Sequence, residues 1–167
     1  MRLLRKPLFL LCFLFFTTIS FGQEVTTYFL IRHAEKDLSD KSNRNPHLTE
    51  VGKVRAQAWK TIFKEVTFDK IYSTAYHRTF ETAAPTAEYH QLNIEDYDPR
   101  NLYSPNFKKA TQGKTVLVVG HSNTTPYLAN KISGVQNYAD IDEQIHGNLY
   151  IIQCIEDTVT TQLLSID

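Results

Sequence analysis

Beyond residue 22 the chain alternates short apolar runs with longer amphipathic or polar stretches. Residues 25–31 (VTTYFLI) are apolar and β-branched, which predicts a buried strand. Residues 34–47 carry Asp37, Ser39, Asp40, Asn43, Asn45 and Pro46 and predict a long exposed loop. Thr49 is placed to cap a helix whose Val51, Val54, Ala58 and Ile62 fall on one face at spacings of three and four. Residues 69–73 (DKIYS) give a second strand. A helix over 77–89 follows, with Phe80, Ala84 and Ala87 on one side and Pro85 expected to kink or divide it. Residues 92–97 suggest a third strand, and 99–113 are turn-rich with one helical turn. Residues 115–120 (TVLVVG) are the clearest buried strand. The helix over 126–132 opens on Thr124 or Thr125 as cap, with Pro126 at its first position. Residues 148–155 and 158–166 predict two strands around a turn at Glu156 and Asp157, a hairpin at a sheet edge.

Strands alternating with helices predict an α/β fold with a mainly parallel central sheet and helices on both faces. Ligands of such sheets bind beyond the carboxyl ends of the strands.

The first 22 residues depart from this pattern. Arg2, Arg5 and Lys6 precede an apolar run over 8–16, and Ser20 and Gly22 supply small residues at a cleavage site before Gln23. This pattern predicts a secretory signal peptide over 1–22 and one domain over 23–167, exported to the periplasm or beyond. The apolar run is well short of the ~20 residues that a spanning helix needs, so cleavage rather than stable membrane insertion is expected. Cleavage would remove three of the 18 basic residues and none of the 18 acidic ones, taking the balanced charge to −3. Neither balance suggests a nucleic-acid partner. Cys154 would then be a lone cysteine in an apolar run, packing as a small hydrophobe.

Three predicted strand ends carry unusual groups: Arg32-His33-Ala34-Glu35, Ser73-Thr74-Ala75-Tyr76-His77-Arg78, and Gly120-His121-Ser122-Asn123. Two histidines and two arginines could therefore converge on one cationic pocket. A phosphoryl group is the natural ligand, because guanidinium forks match its oxygens and stay charged at any working pH. The helix opening near Thr125 would add its amino-terminal dipole.

The same segments resemble the histidine phosphatase superfamily, of the phosphoglycerate mutase-like fold. Arg32-His33-Ala34 is similar to its RHG/RHA signature, and Leu48-Thr49-Glu50-Val51-Gly52 with Ala56-Gln57-Ala58 to its LTxxGxxQA helix start. Ser73-Thr74 with Arg78-Thr79-Phe80-Glu81-Thr82-Ala83 resembles SSxxxRAxxTA, and Val118-Val119-Gly120-His121-Ser122 resembles VVGHS. The resemblance implies a phosphoric monoester hydrolase in which His33 attacks phosphorus and becomes phosphohistidine. Arg32, Arg78 and His121 would bind the phosphoryl oxygens, and water would release phosphate, with neither metal nor cofactor. Asn123 joins the phosphate-binding candidates, able either to orient His121 or to cap the next helix. For the acid that protonates the leaving group, the segment over 91–114 offers Asp98 first, at a turn after the third strand, then Asp96 and Glu95. That segment lacks the family's LxExxxGxxEG pattern. It is also short, which predicts a minimal cap and an open site, and argues against a mutase that must shield its phosphorylated intermediate from water.

His47, His77, His90 and His146 match no motif and are expected to be surface or structural, as are Glu35 and Lys36. Tyr76 and Trp59 are expected to be packing residues. The leading expectation is a phosphatase acting on small phosphorylated substrates. Family members of this short kind also suggest protein phosphohistidine, against which the export pattern counts. A phosphoryl-binding module without turnover is the alternative from another class.

Overall fold

The computed structural model describes residues 24–166. The expected signal peptide and Cys12 lie outside them. Among the described residues, six strands and four helices follow in chain order: β1 (Val25–Arg32), α1 (Glu50–Phe63), β2 (Lys70–Ser73), α2 (His77–His90), β3 (Ile94–Asp96), α3 (Pro105–Thr111), β4 (Thr115–Gly120), α4 (Thr124–Ser133), β5 (Asn148–Ile155) and β6 (Thr158–Ser165). They form one sheet in the order β3-β2-β4-β1-β5-β6.

The sheet is mixed. β3, β2, β4 and β1 run parallel, while β5 pairs antiparallel with β1 and β6 with β5. The parallel part lies where β-α-β connections feed it, and the antiparallel part is the hairpin that the sequence predicts at the edge. Parallel pairing aligns β1 with β4 so that Arg32 lies opposite Gly120. The His33 N–H donates to the Gly120 carbonyl at 2.9 Å and extends that pairing by one step. Two of the three chemical segments are thereby held in fixed register.

Alternation along the central strands builds a core on each face. Tyr28 and Leu30 of β1, with Val116 and Val118 of β4, pack against Leu128, Ala129 and Ile132 of α4 and against Phe107 of α3. Ile31, Leu117 and Val119 point the other way, onto Trp59 and Phe63 of α1 and Ala83 and Ala87 of α2. Cys154 packs at the margin of the first cluster, as expected of a small hydrophobe.

Several elements differ from expectation. In α1 the buried stripe is Gly52, Ala56, Trp59 and Phe63, while Val51, Val54 and Ile62 are exposed. The stripe is turned by one residue, about 100° of helix. Thr49 does cap it, accepting from the Gly52 N–H at 3.0 Å. A Cβ on Gly52 would lie 2.3 Å from the Glu35 carbonyl oxygen, so only glycine lets the helix approach the chain leaving β1.

In α2 the helix runs on through Pro85, and its buried side is Thr79, Thr82, Ala83, Thr86 and Ala87, with Phe80 exposed. α3 has seven residues and a Ser104 cap, in place of one turn. α4 begins at Thr124, so Asn123 and neither threonine holds the cap position, and Pro126 is third in the helix. A proline there costs little, since the first four helical N–H groups have no intrahelical acceptor.

Candidate active site

β1 delivers Arg32 and His33 to the carboxyl edge of the sheet, both almost fully buried. His33 Nδ1 lies 2.7 Å from the Ala34 carbonyl oxygen. A carbonyl only accepts, so the proton sits on Nδ1 and Nε2 keeps its lone pair. The next N–H, of Ala34, donates to Thr82 Oγ1 of α2 at 2.9 Å, which fixes the chain directly after the imidazole. Burial, followed by the nearby His121, Arg32 and Arg78, holds the His33 pKa down to about 2, against the support of the Ala34 bond. The ring is therefore neutral at neutral pH.

β4 delivers His121, whose ring centroid stands 5.5 Å from that of His33. Arg78 Nη2 donates to His121 Nδ1 at 3.4 Å, so the second imidazole is protonated on Nε2, which donates to Thr74 Oγ1 at 3.0 Å. The chain of donors continues from Thr74 Oγ1 to Thr79 Oγ1 and ends on the Thr74 and Tyr76 carbonyls. This relay orients the ring through residues of β2 and α2. Burial and the Arg78 charge lower the His121 pKa to about 4. A Cβ on Gly120 would meet Thr125 Oγ1 at 2.7 Å and Tyr97 Oη at 2.8 Å, so these side chains pack against the bare backbone here.

α2 contributes Arg78 in its first turn, the guanidinium carbon 4.3 Å from the centre of the Tyr76 ring. Tyr76 is thus a wall of the site, with its ring edge-on to His121 at 5.3 Å. The expectation of simple packing does not describe it. An open pocket of about 430 Å³ joins His33, Arg78 and His121 with Lys36, Arg100, Ser122, Asn123 and Thr124. Asn123 stands at the helix cap without a side-chain capping bond.

The predicted acids lie elsewhere. Asp98 accepts from the Arg100 N–H at 2.9 Å and from its Nε at 3.0 Å. With Asp96 it lines a neighbouring pocket that shares Tyr76, Pro99 and Arg100 with the first. Glu95 pairs with Lys70 at 2.6 Å.

Sequence reasoning missed the loop after α4. There Glu143 Oε2 lies 2.8 Å from Arg32 Nη2, and Ser122 Oγ donates to Glu143 Oε1 at 2.9 Å. Arg32 Nη1 donates to the Asp142 and Ile145 carbonyls at 2.8 and 3.0 Å, and Lys36 approaches Glu143 at 3.9 Å. Ser122, Arg32 and Lys36 keep the Glu143 carboxyl below its ordinary range, against a partial burial that pushes the other way. His146 Nδ1 donates to the His33 carbonyl at 3.0 Å. No periodicity marks this loop, and Glu143 is 111 residues from Arg32. The buried Nε atoms of Arg32 and Arg78 have no hydrogen-bond partner, so both guanidiniums have donors to spare. A neutral imidazole amid cationic donors suits capture of a phosphoryl group.

Residues 28–99 match the model of the histidine phosphatase superfamily (branch 1). His33 and Arg78 fall inside the match and His121 beyond it. No protein of curated function matches the sequence. The fold is that of a proposed α-ribazole-5′-P phosphatase from Escherichia coli, at 17% identity and a TM-score of 0.67 over 84% of this chain and 96% of the other. A proposed phosphohistidine phosphatase from Agrobacterium tumefaciens is similar at 17% identity and TM-score 0.62, over 84% and 99%. The phosphoglycerate mutase of Bacillus anthracis aligns at 15% and 0.65, over 86% and 93%. These likenesses establish a shared fold of the phosphoglycerate mutase-like kind.

Proposed function

We propose that the chain is a member of the histidine phosphatase superfamily (branch 1), whose model residues 28–99 match, and a phosphomonoester phosphatase with His33 as phosphoryl acceptor. The observation that carries this reading is the fixed tautomer of His33. Its Nδ1–H is committed to the Ala34 carbonyl, so Nε2 is a neutral nucleophile beside a pocket lined by Arg78, Lys36 and Arg100.

The reaction has two steps. Nε2 of His33 attacks phosphorus and forms the N–P bond as the ester P–O bond breaks. Arg78 and Arg32 hold the equatorial oxygens, each such group contributing about 3–4 kcal/mol by analogy with oxyanion holes. His121 joins them as Arg78 turns from its Nδ1 to the phosphoryl group and that nitrogen, beside the dianion, takes up a proton. Water then attacks the phosphohistidine, the N–P bond breaks and phosphate leaves.

Glu143 is our candidate for the leaving-group proton, in preference to Asp98, whose carboxylate is engaged by Arg100 outside the pocket. As it stands, Glu143 pairs with Arg32 and is ionised. An arriving phosphoryl dianion competes for that guanidinium, frees the carboxylate and, by its own charge, raises the carboxyl pKa so that a proton can be carried to the alkoxide. Glu143→Gln separates these roles. KM should fall, because Arg32 is released to the substrate. kcat should fall about 10²–10⁴-fold for alkyl phosphates and little for p-nitrophenyl phosphate, whose leaving group needs little acid. Equal losses on both substrate types would remove Glu143 from the mechanism.

The amino-terminal pattern of basic, apolar and small residues supports work outside the cytoplasm. Small phosphorylated compounds such as sugar phosphates and nucleotide monophosphates are the leading substrates. Phosphate release should be followed over a panel of these, with a phosphohistidine peptide included and EDTA present, beside His33→Ala. Turnover that survives EDTA and vanishes in the variant is expected. Phosphate binding without release from any ester would favour a binding module.

A further inference from the structure

We propose that His47, His77 and Glu81 form a binding site for a divalent transition ion, with Zn²⁺ the ion of choice, apart from the phosphoryl pocket. The two imidazoles and the carboxylate present ligand atoms that all lie within 4.8 Å of one another. A tetrahedral Zn²⁺ with bonds of about 2.0–2.2 Å holds its ligand atoms roughly 3.3–3.6 Å apart. An entering ion would therefore replace the direct His47–Glu81 hydrogen bond, opening that pair and drawing the wider pairs together.

Two of the ligands come from one helix. His77 and Glu81 are four residues apart at the start of α2, which puts both side chains on the same face. The third arrives from the loop, and that loop is already fastened to the helix. The His77 N–H donates to Asn45 Oδ1 at 2.9 Å, and the Leu48 N–H donates to Glu81 Oε2 at 2.8 Å. The second of these bonds fixes the carboxylate plane and leaves Oε1 toward His47, whose Nδ1 it meets. Backbone support of this kind is what orients ligands in metal sites.

The His47 and His77 rings stack face to face, with centroids 4.1 Å apart and planes at 14°. Two imidazoles and one carboxylate with a position left for water match the His₂Glu set that holds Zn²⁺ elsewhere. His47 and His77 are exposed, so an ion can enter without opening the fold. None of the three residues lines the pocket around His33. A bound ion would clamp the loop that leaves His33 to the helical turn that carries Arg78, which gives the site a structural task beside the chemistry.

The test uses the chain over residues 23–167, stripped with EDTA, dialysed and titrated with Zn²⁺ by calorimetry against a competing chelator. One ion per chain is expected, with X-ray absorption showing two imidazole ligands. His47→Ala and Glu81→Gln, each shown folded by circular dichroism, should weaken binding by at least the ~10–100-fold that loss of an outer-shell partner brings. A His33→Ala/His121→Ala variant should bind as the unaltered protein does. No saturable binding, binding unchanged in His47→Ala and Glu81→Gln, or binding lost in the His33→Ala/His121→Ala variant would each overturn the site. In the first case the cluster would be a histidine–carboxylate ion pair alone.

Discussion

Two regions meet at Arg32 and were built in different ways. At the strand ends, Arg32, His33 and His121 are positioned by backbone pairing between β1 and β4, over which Arg32 and Gly120 are partners. In the loop after α4, Glu143 and His146 are positioned by side chains that reach across from Arg32 and by the His33 carbonyl. The first region is a frame whose main-chain register is set by backbone hydrogen bonds rather than by side chains. The second is held by the very arginine that a phosphoryl group would claim, so it is the part of the site that must give way when substrate binds.

The largest break in this comparison should come from the arginines. Arg78→Ala removes a phosphoryl donor and the donor to His121, and kcat/KM should fall about 10²–10³-fold. Arg32→Ala should cost a similar factor and also free the loop over 140–146, since the Asp142 and Ile145 carbonyls and Glu143 lose their partner. Hydrogen exchange by mass spectrometry should show that loop deprotected in Arg32→Ala and unchanged in Arg78→Ala. Equal protection in both would mean that the guanidinium does not hold the loop.

A smaller effect is expected in the frame itself. Gly120→Ala drives a methyl group into Thr125 Oγ1 and Tyr97 Oη. Chemical denaturation should report a loss of about 1–3 kcal/mol, typical of overpacking, with kcat reduced because His121 follows directly. A neutral outcome would show that β4 can shift without cost.

A further effect is graded with pH. His33 and His121 titrate in the native protein at about 2 and about 4, against 6.5 for the free side chain. Above about pH 6.5 the native and unfolded chains hold these rings equally neutral. Below it the unfolded chain takes up protons that the native pocket refuses, so stability falls as pH falls. The slope is at most about 1.4 kcal/mol per pH unit for each ring. His33→Ala/His121→Ala should flatten the curve of stability between pH 6.5 and 4.5, and an unchanged slope would contradict the buried neutral state.

The contrast between frame and loop also explains what the sequence disclosed. Strand ends are legible because an apolar run such as TVLVVG ends where its chemistry begins, and parallel pairing then aligns one end with another. The face of α1 was not legible. Val51, Val54, Ala58 and Ile62 have helical spacing as regular as that of Gly52, Ala56, Trp59 and Phe63, and only the close approach of Gly52 to Glu35 selects the second set. Thr74 gave no sign of its bond to His121, because a threonine at a strand end has many uses. Asp98 looked suitable by its place in the chain, yet Arg100, two residues on, turns its carboxylate aside. Glu143 and His146 depend on contacts more than a hundred residues long in sequence, which no local pattern records.

The central claim is that His33 carries the phosphoryl group, and trapping that intermediate tests it most directly. The protein should be mixed rapidly with p-nitrophenyl phosphate, quenched in alkali to preserve phosphohistidine, digested and mapped by mass spectrometry. The account predicts one added phosphoryl group on the peptide that contains His33, formed within the first turnover and absent from His33→Ala. Turnover with no labelled peptide, or a label on His121 that persists in His33→Ala, would contradict it.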